Sequence, residues 1–414
     1  MIDILKNKKY KVFLITDFFS VIGDGLFYIA LMTFARSISD NGYAITLVSI
    51  SENLPLLFTF FTGLVADSSA NKYRDLRNVF FTKSVIYLIV ALIMGFSPSI
   101  TFLIIICILN FCSDCLGRMA VGMSSVVPQI VFEEKQWEDS SGLYAINQQV
   151  AQIISQSLGG FLILYYSFKG VALINVAIFL FVFIYFIFNK KIISEIFYSS
   201  KNKDAIVYQE KKSIKNELVD FFKLRKNAVY SKLFQSIISI TLLNSILATI
   251  PSVLSIAFTN FKTTLDYSIF LTFLLSGNTI SVILGSSLGI KITKGKELSR
   301  YLLYSLLITI GFFLSISVNQ LFISLIMSWI LYFNIGIINP KLNALFRKTI
   351  PVKEYAKITG AFGSLMSIGS VLGSIVYNLA ASKNITIFTI LMVLLLIVYS
   401  IYNIIDLLAE KKGK

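Results

Sequence analysis

The sequence predicts an all-α membrane protein with twelve transmembrane helices, arranged as two six-helix halves. Three observations predict it. Of the 414 residues, 56% are hydrophobic and only 14% are charged, whereas water-soluble domains carry roughly 25% charged residues. The mean hydropathy is +0.77. The apolar residues also gather into runs long enough, at about 1.5 Å per helical residue, to cross a hydrocarbon core of about 30 Å. Finally, Lys and Arg collect at alternate ends of those runs, the asymmetry that orients membrane helices.

The runs lie at 12–35, 44–66, 78–97, 100–127, 141–166, 170–189, 230–258, 266–290, 300–317, 320–340, 358–381 and 384–406. Connections are short except for Lys190–Tyr230, which is rich in Lys, Ser, Asn and Glu. This predicts an N-terminal bundle over 1–189, a basic cytoplasmic linker over 190–229 and a C-terminal bundle over 230–414.

Span one carries two carboxylates, Asp17 and Asp24. Seven residues make about two helical turns, so both share one face, with Thr16, Ser20, Gly23 and Tyr28 extending the stripe. A carboxylate at a helix centre costs roughly 2.5–3.5 kcal/mol on insertion. Such a stripe is expected to line a polar cavity and to place an acid near mid-membrane for proton coupling. A buried acid satisfied by a basic or hydroxyl partner is the other reading. Asp24 ranks ahead of Asp17, which lies nearer the cytoplasmic end.

Span two adds Glu52, three residues before Pro55, as a coupling acid or a structural acid near the outer mouth. Span four holds Asp114 and Arg118 at i,i+4. An intramembrane Arg needs a counter-charge, and Asp114 is the nearest in sequence. Cys107, Cys112 and Cys115 sit in the same apolar run and read as free packing thiols. Along span five, Gln148, Gln152 and Gln156 share a stripe with Ser155, and Asn147 lies beside it. Such amides can line a substrate cavity or bond between helices. The C-terminal half offers Asn244, Asn278, Asn334 and Asn339, but no acid deep in a span; Asp266, Glu297, Glu354 and Asp406 fall near span ends.

With the N-terminus in the cytoplasm, Lys6, Lys8, Lys9 and Lys11, then Lys72, Arg74 and Arg77, the basic residues of the central linker, Lys291 to Arg300, Lys341 to Lys357 and the C-terminal lysines all fall inside. Arg36, Lys169, Lys262 and Lys383 fall outside. Both termini are then cytoplasmic. This arrangement accounts for the net charge of +15 without a nucleic-acid partner, and it sets basic loops against anionic lipid. The composition fits a bacterial cell membrane. No cleavable leader is evident. There is no His, so proton chemistry falls to carboxylates. The sequence shows no metal cluster, phosphate loop or nucleophile elbow, so neither an enzyme, a cofactor nor ATP-driven export is expected.

Internal repetition supports the two halves. Gly63-Leu-Val-Ala-Asp67 recurs as Gly285-Ser-Ser-Leu-Gly289, offset by 222 residues. Ser155-Gln-Ser-Leu-Gly159-Gly160 recurs as Gly369-Ser-Val-Leu-Gly373-Ser374, offset by 214. Val127-Pro128 and Ile350-Pro351 precede the latter pair. Parallel six-span repeats with binding at their interface are a transporter architecture.

With Ile22-Gly23-Asp24-Gly25-Leu26, Leu54-Pro55 and the Gly63 to Asp67 turn in view, the chain resembles the major facilitator superfamily. It resembles most the macrolide-efflux-like branch of the twelve-span drug:proton antiporters. The resemblance implies a cytoplasmic gating latch at Gly63, Asp67, Lys72 and Arg74, with Asn71 standing where an Arg is usual. Arg118-x-x-x-Gly122 is similar to the span-four basic motif linked to proton coupling, with Val121 in place of a polar residue. Span five keeps the glycine pair of the antiporter element and lacks its Pro. The resemblance implies a monomeric secondary active transporter, exporting amphipathic drug-like or macrolide-like compounds against protons by alternating access. An exporter or importer of a specific metabolite, such as a siderophore, peptide or lysolipid, is the alternative on the same fold.

Overall fold

The computed structural model describes residues 6–133, 136–200, 228–261, 263–292, 298–349 and 355–412. The side chains of some helical residues, Asp67 among them, also lie outside the description. The basic residues from Lys201 to Lys226, with Lys262, Lys294, Lys296 and Lys353, fall outside it too.

The described chain is helical throughout, without strands. Its helices are α1 Lys8–Arg36, α2 Asn41–Asn53, α3 Thr59–Ser68, α4 Lys72–Ile93, α5 Ile100–Ser124, α6 Val127–Val131, α7 Trp137–Tyr165, α8 Phe168–Phe188 and α9 Lys190–Ser200. They continue with α10 Ala228–Leu247, α11 Ile250–Ala257, α12 Tyr267–Ile292, α13 Leu298–Ser317, α14 Leu321–Thr349, α15 Tyr355–Lys383 and α16 Ile385–Lys412. Short polar residues start several of them. The side chains of Asn7, Asp40, Asn71, Ser99 and Ser167 accept hydrogen bonds from first-turn amides of α1, α2, α4, α5 and α8, supplying acceptors that the helix itself lacks.

Each predicted span coincides with a helix or a broken pair of helices. Two expected single spans are interrupted. The segment 44–66 is α2, a 3₁₀ turn over Leu54–Phe58 and α3; the segment 230–258 is α10 followed by α11. Pro55 and Pro251 stand in the first turn after each break, where the missing N–H costs nothing and the ring would obstruct a preceding helical turn. Among the described residues, nine segments are long and apolar enough to cross a membrane. The spans at 44–66, 141–166 and 384–406 do not meet that measure. The first is broken, and the second carries a row of amides. Of the third, the apolar stretch within the description is Ile385–Ile397.

The helices form two compact units, Met1–Gln209 with Tyr267–Ser276, and Glu210–Asp266 with Gly277–Lys414. In the first unit α1 packs against α7 and α8, and α4 against α8. The approach of α1 to α7 depends on missing side chains: a Cβ at Gly25 would strike the Ser155 side chain, and one at Gly159 would strike Ile29. The second unit repeats the device with partners exchanged. There Gly369 of α15 faces Thr241 of α10, and Gly373 lies on the Ser245 backbone. Spans two and four touch through Gly122 and Ala66, near Gly63, while α12 and α14 touch through Gly285 and Gly336. The 222- and 214-residue offsets read from sequence thus link helix contacts of the same kind, the small-residue packing common between membrane helices.

The linker opens as a helix. α9 buries Ile193 and Ile196 in a cluster with Phe13, Phe80 and Phe186, and Phe197 meets Phe13 edge-on at 5.9 Å. Its alternation of apolar and polar residues at helical spacing ties the start of the linker to the first unit.

Candidate functional site

The polar groups of the first unit gather into two clusters, both on α1 and two turns apart. The upper one centres on Asp24. Its partner is Lys83 of α4, whose ammonium lies 2.9 Å from Oδ1 and 3.0 Å from Oδ2. Lys83 is wholly buried, while the Asp24 side chain is 37% exposed. On its other side the ammonium lies over the Phe179 ring, 4.4 Å from the centroid, a favourable place for a desolvated cation. Gly117 of α5 leaves room there, since a Cβ would lie 3.4 Å from Lys83 Nζ.

One turn beyond Lys83, Tyr87 presents its hydroxyl 3.2 Å from Asp24 Oδ1 and 3.5 Å from Asn110 Oδ1. A phenol has one hydrogen to donate, so Tyr87 serves one acceptor at a time. Its ring stacks on Phe179 at 5.2 Å and meets Phe27 edge-on at 4.8 Å. Asn110 extends the path. Its amide nitrogen donates to Glu52 Oε1 at 2.8 Å and to Asp114 Oδ2 at 3.2 Å, one hydrogen to each carboxylate. Helical spacing makes this possible: Lys83 and Tyr87 are one i,i+4 pair on α4, and Asn110 and Asp114 are another on α5. Four spans thus contribute to one continuous network.

Several expectations change here. The sequence leaves the basic partner of Asp24 unnamed, and Lys83 occupies that place. Asp114 and Arg118, natural partners by spacing, form no ion pair within 4 Å among the described residues. Asp114 instead accepts from Asn110, and Arg118 Nη1 reaches Thr59 Oγ1 at 3.4 Å. Lys83 is the residue that sequence reasoning missed. Its signal was visible, because it is the one charged residue in the run at 78–97, the sixth from its start.

The lower cluster centres on Asp17. Tyr144 Oη donates to Oδ1 at 3.1 Å, Asn147 Nδ2 to Oδ2 at 3.1 Å, and Gln148 Nε2 to both oxygens at 2.8 and 2.9 Å. Gln148 also donates to Tyr144 Oη at 2.8 Å, and Asn147 to the Leu14 carbonyl at 3.1 Å. The cluster borders a cavity of about 240 Å³ between α1, α4, α5, α6, α7 and α8.

The other predicted positions are dispersed. Gln152 is exposed; Gln156, Tyr28 and Asn244 are half-buried. Asn278 accepts from Ser328 at 2.7 Å. Asn334 donates to the Tyr301 carbonyl at 2.8 Å and to Ser305 at 2.6 Å, joining α14 to α13. Of the expected latch, Lys72 Nζ donates to the Ala66 carbonyl at 2.8 Å and Arg74 pairs with Asp75 at 3.1 Å. The Asp67 side chain lies outside the described residues. The three cysteines are free, and among the described residues no group of His, Cys, Asp or Glu is arranged to hold a metal ion.

A family model described as Major Facilitator Superfamily matches residues 13–374. The chain belongs to that superfamily. Solved structures of superfamily fold agree over nearly the full length. A POT family transporter in complex with a thioalcohol-conjugated peptide superposes with a TM-score of 0.71 at 14% identity, covering 98% of this chain and 96% of that one. The nucleoside transporter NupG gives 0.69 at 14% identity, over 96% and 98%. A POT family transporter in complex with 5-aminolevulinic acid gives 0.68 at 11% identity, over 95% and 96%. At such identities the likeness is one of fold. Compared by sequence with curated proteins, the chain matches none. As a superfamily member it is a multi-pass membrane transporter rather than an enzyme.

Proposed function

We propose that this transporter exports amphipathic, drug-like or macrolide-like compounds in exchange for protons, by alternating access in which its two halves rock about a central cavity. One observation carries the reading: a wholly buried lysine and a partly exposed aspartate form an ion pair within the apolar spans, continuous with four further polar side chains, Tyr87, Asn110, Glu52 and Asp114. A buried ion pair is a weak source of stability, since desolvation offsets much of the attraction. It is a good switch. When Asp24 takes a proton, the pair loses its attraction, and Lys83 keeps only the Phe179 face. The Tyr87 hydroxyl is then free to turn from Asp24 to Asn110, which relays the change to Glu52 and Asp114. Arg118, Gly63, Asp67, Lys72 and Arg74 complete the machinery as coupling and gating residues, and the protein acts as a monomer in the bacterial cytoplasmic membrane with both termini inside. The Lys and Arg distribution supports that orientation.

The test uses proteoliposomes with a trapped pH dye and erythromycin as the probe. Erythromycin is expected to drive proton movement through the wild-type protein and not through the Asp24→Asn/Lys83→Met pair, which removes both charges together. Proton movement that survives in the double variant, or that never occurs, overturns the reading. Direction is read from vesicles of defined sidedness. The second reading is an importer or exporter of a specific metabolite such as a siderophore, peptide or lysolipid on the same helices, and uptake into right-side-out vesicles would favour its importer form.

A further inference from the structure

The Asp17 cavity is separate in chemistry from the Asp24–Lys83 pair. Among the described residues its only charged lining residue is Asp17, with no Lys or Arg. No cation lies within 4 Å of Asp17 among the described residues. Lys83 stands beyond Gly117 and is paired with Asp24, so that pair adds no net charge nearby. A carboxylate offers about four lone-pair positions. Tyr144, Asn147 and Gln148, all neutral, engage both oxygens, with the two Gln148 hydrogens shared among Oδ1, Oδ2 and Tyr144 Oη. The negative charge is therefore held in place, with most of its hydrogen-bonding capacity used and its charge uncompensated.

The walls are aromatic. Tyr10, Phe13, Phe80, Tyr144 and Phe186 line the same space. Each is pinned. Tyr10 Oη donates to the Ser140 carbonyl at 2.8 Å. Phe186 stacks on Tyr73 at 5.5 Å and meets Phe80 edge-on at 5.4 Å; Phe13 is held by Phe197. A primary ammonium would bring three donors to a carboxylate whose positions are mostly taken. A quaternary ammonium has no donor to satisfy, and it is attracted by both net negative charge and ring faces. The volume of about 240 Å³ lies below the roughly 300–1,000 Å³ of pockets for drug-sized ligands, so the fitting cation is a small one.

We propose that this cavity is a binding site for a small quaternary ammonium group of the trimethylammonium type, held among the Tyr10, Phe13, Phe80 and Tyr144 rings and neutralising Asp17. The group could arrive as a free cation such as choline or as the head of a lysolipid; the recognition chemistry is shared. The inference goes beyond the export reading and does not rest on proton coupling, because it concerns equilibrium binding without a gradient.

The experiment measures binding of radiolabelled choline to the purified full-length protein in detergent, with unlabelled tetramethylammonium, lysophosphatidylcholine and 3,3-dimethyl-1-butanol as competitors. The last is the neutral carbon analogue of choline. Saturable binding displaced by tetramethylammonium supports a free-cation site. Displacement by lysophosphatidylcholine alone supports a headgroup site. Asp17→Asn is expected to weaken binding about tenfold or more, a loss of about 1.4 kcal/mol or more. Since that change also touches the amide cluster, Ser124→Phe provides an independent arm. It fills the cavity from α5 and leaves the Asp17 contacts in place, and thermal melting reports that each variant is folded. Absence of saturable binding, equal competition by the neutral alcohol, or wild-type binding in either folded variant overturns the proposal.

Discussion

At the 214-residue offset set by Gly122 and Gly336, Asp114 of the first unit corresponds to Ser328 of the second, and Asn110 to Ser324. In the first unit these positions belong to a charged network with Glu52, Asp24 and Lys83. In the second, Ser328 donates to Asn278 at 2.7 Å, and Ser324 shares a hydrogen bond with Ser315 at 2.8 Å. The glycine contacts are alike in both units; the chemistry between them is not. At these two positions, among the described residues, a six-span bundle of this kind is therefore closed by neutral hydroxyls and amides. Charge at the equivalent places of the first unit is not a requirement of packing, and its desolvation works against stability.

The largest effect that could break this comparison concerns the ion pair. Asp24→Asn strands the wholly buried Lys83 ammonium. It is expected to lower unfolding stability by roughly 3–5 kcal/mol, read from thermal unfolding in detergent. Asp24→Asn/Lys83→Met should regain most of that loss. A single variant as stable as wild type would mean that the pair is not held as described. The next effect is steric. In Gly285→Ala the new Cβ meets the Phe333 carbonyl oxygen directly, whereas in Gly122→Ala it meets the Ala66 methyl group at 3.0 Å. The first should destabilise by about 1–3 kcal/mol and the second by less, in the same unfolding assay. Equal losses would remove the difference in tightness between the two units. Smallest is Asn334→Ala, which deletes donors to Tyr301 and Ser305. About 1–2 kcal/mol is expected, with the proton response to erythromycin unaltered. A lost proton response there would put coupling chemistry in the second unit as well.

The helices were legible because hydropathy is local: a run of apolar residues declares itself. The breaks at Pro55 and Pro251 were partly legible, since proline marks where a helix can restart without fixing whether the preceding turn survives. The repeat was legible at glycines, where contact leaves little choice of residue. Side-chain partners were not. Asp24 and Lys83 are 59 positions apart, and nothing in either local sequence names the other. Asp114 shows why spacing misleads. Asn110 and Arg118 lie one turn before and one turn after it, on the same face, and only the neighbouring helices decide which it meets. Asn334 likewise read as a cavity residue, while its actual partners lie on α13.

The position of Lys83, midway along α4, also bears on how the chain enters a membrane. A lysine at a helix centre carries an insertion cost of the same order as an aspartate, so α1 and α4, apolar enough to span, each carry a charge cost when alone. Each supplies what the other lacks. During synthesis α1 emerges well before α4, and its acid has to wait, shielded by the insertion machinery or by water, until the lysine arrives. The first three spans are thereby committed to assemble together rather than one at a time. A chain cut between α3 and α4 would present the membrane with an aspartate that has no counterpart.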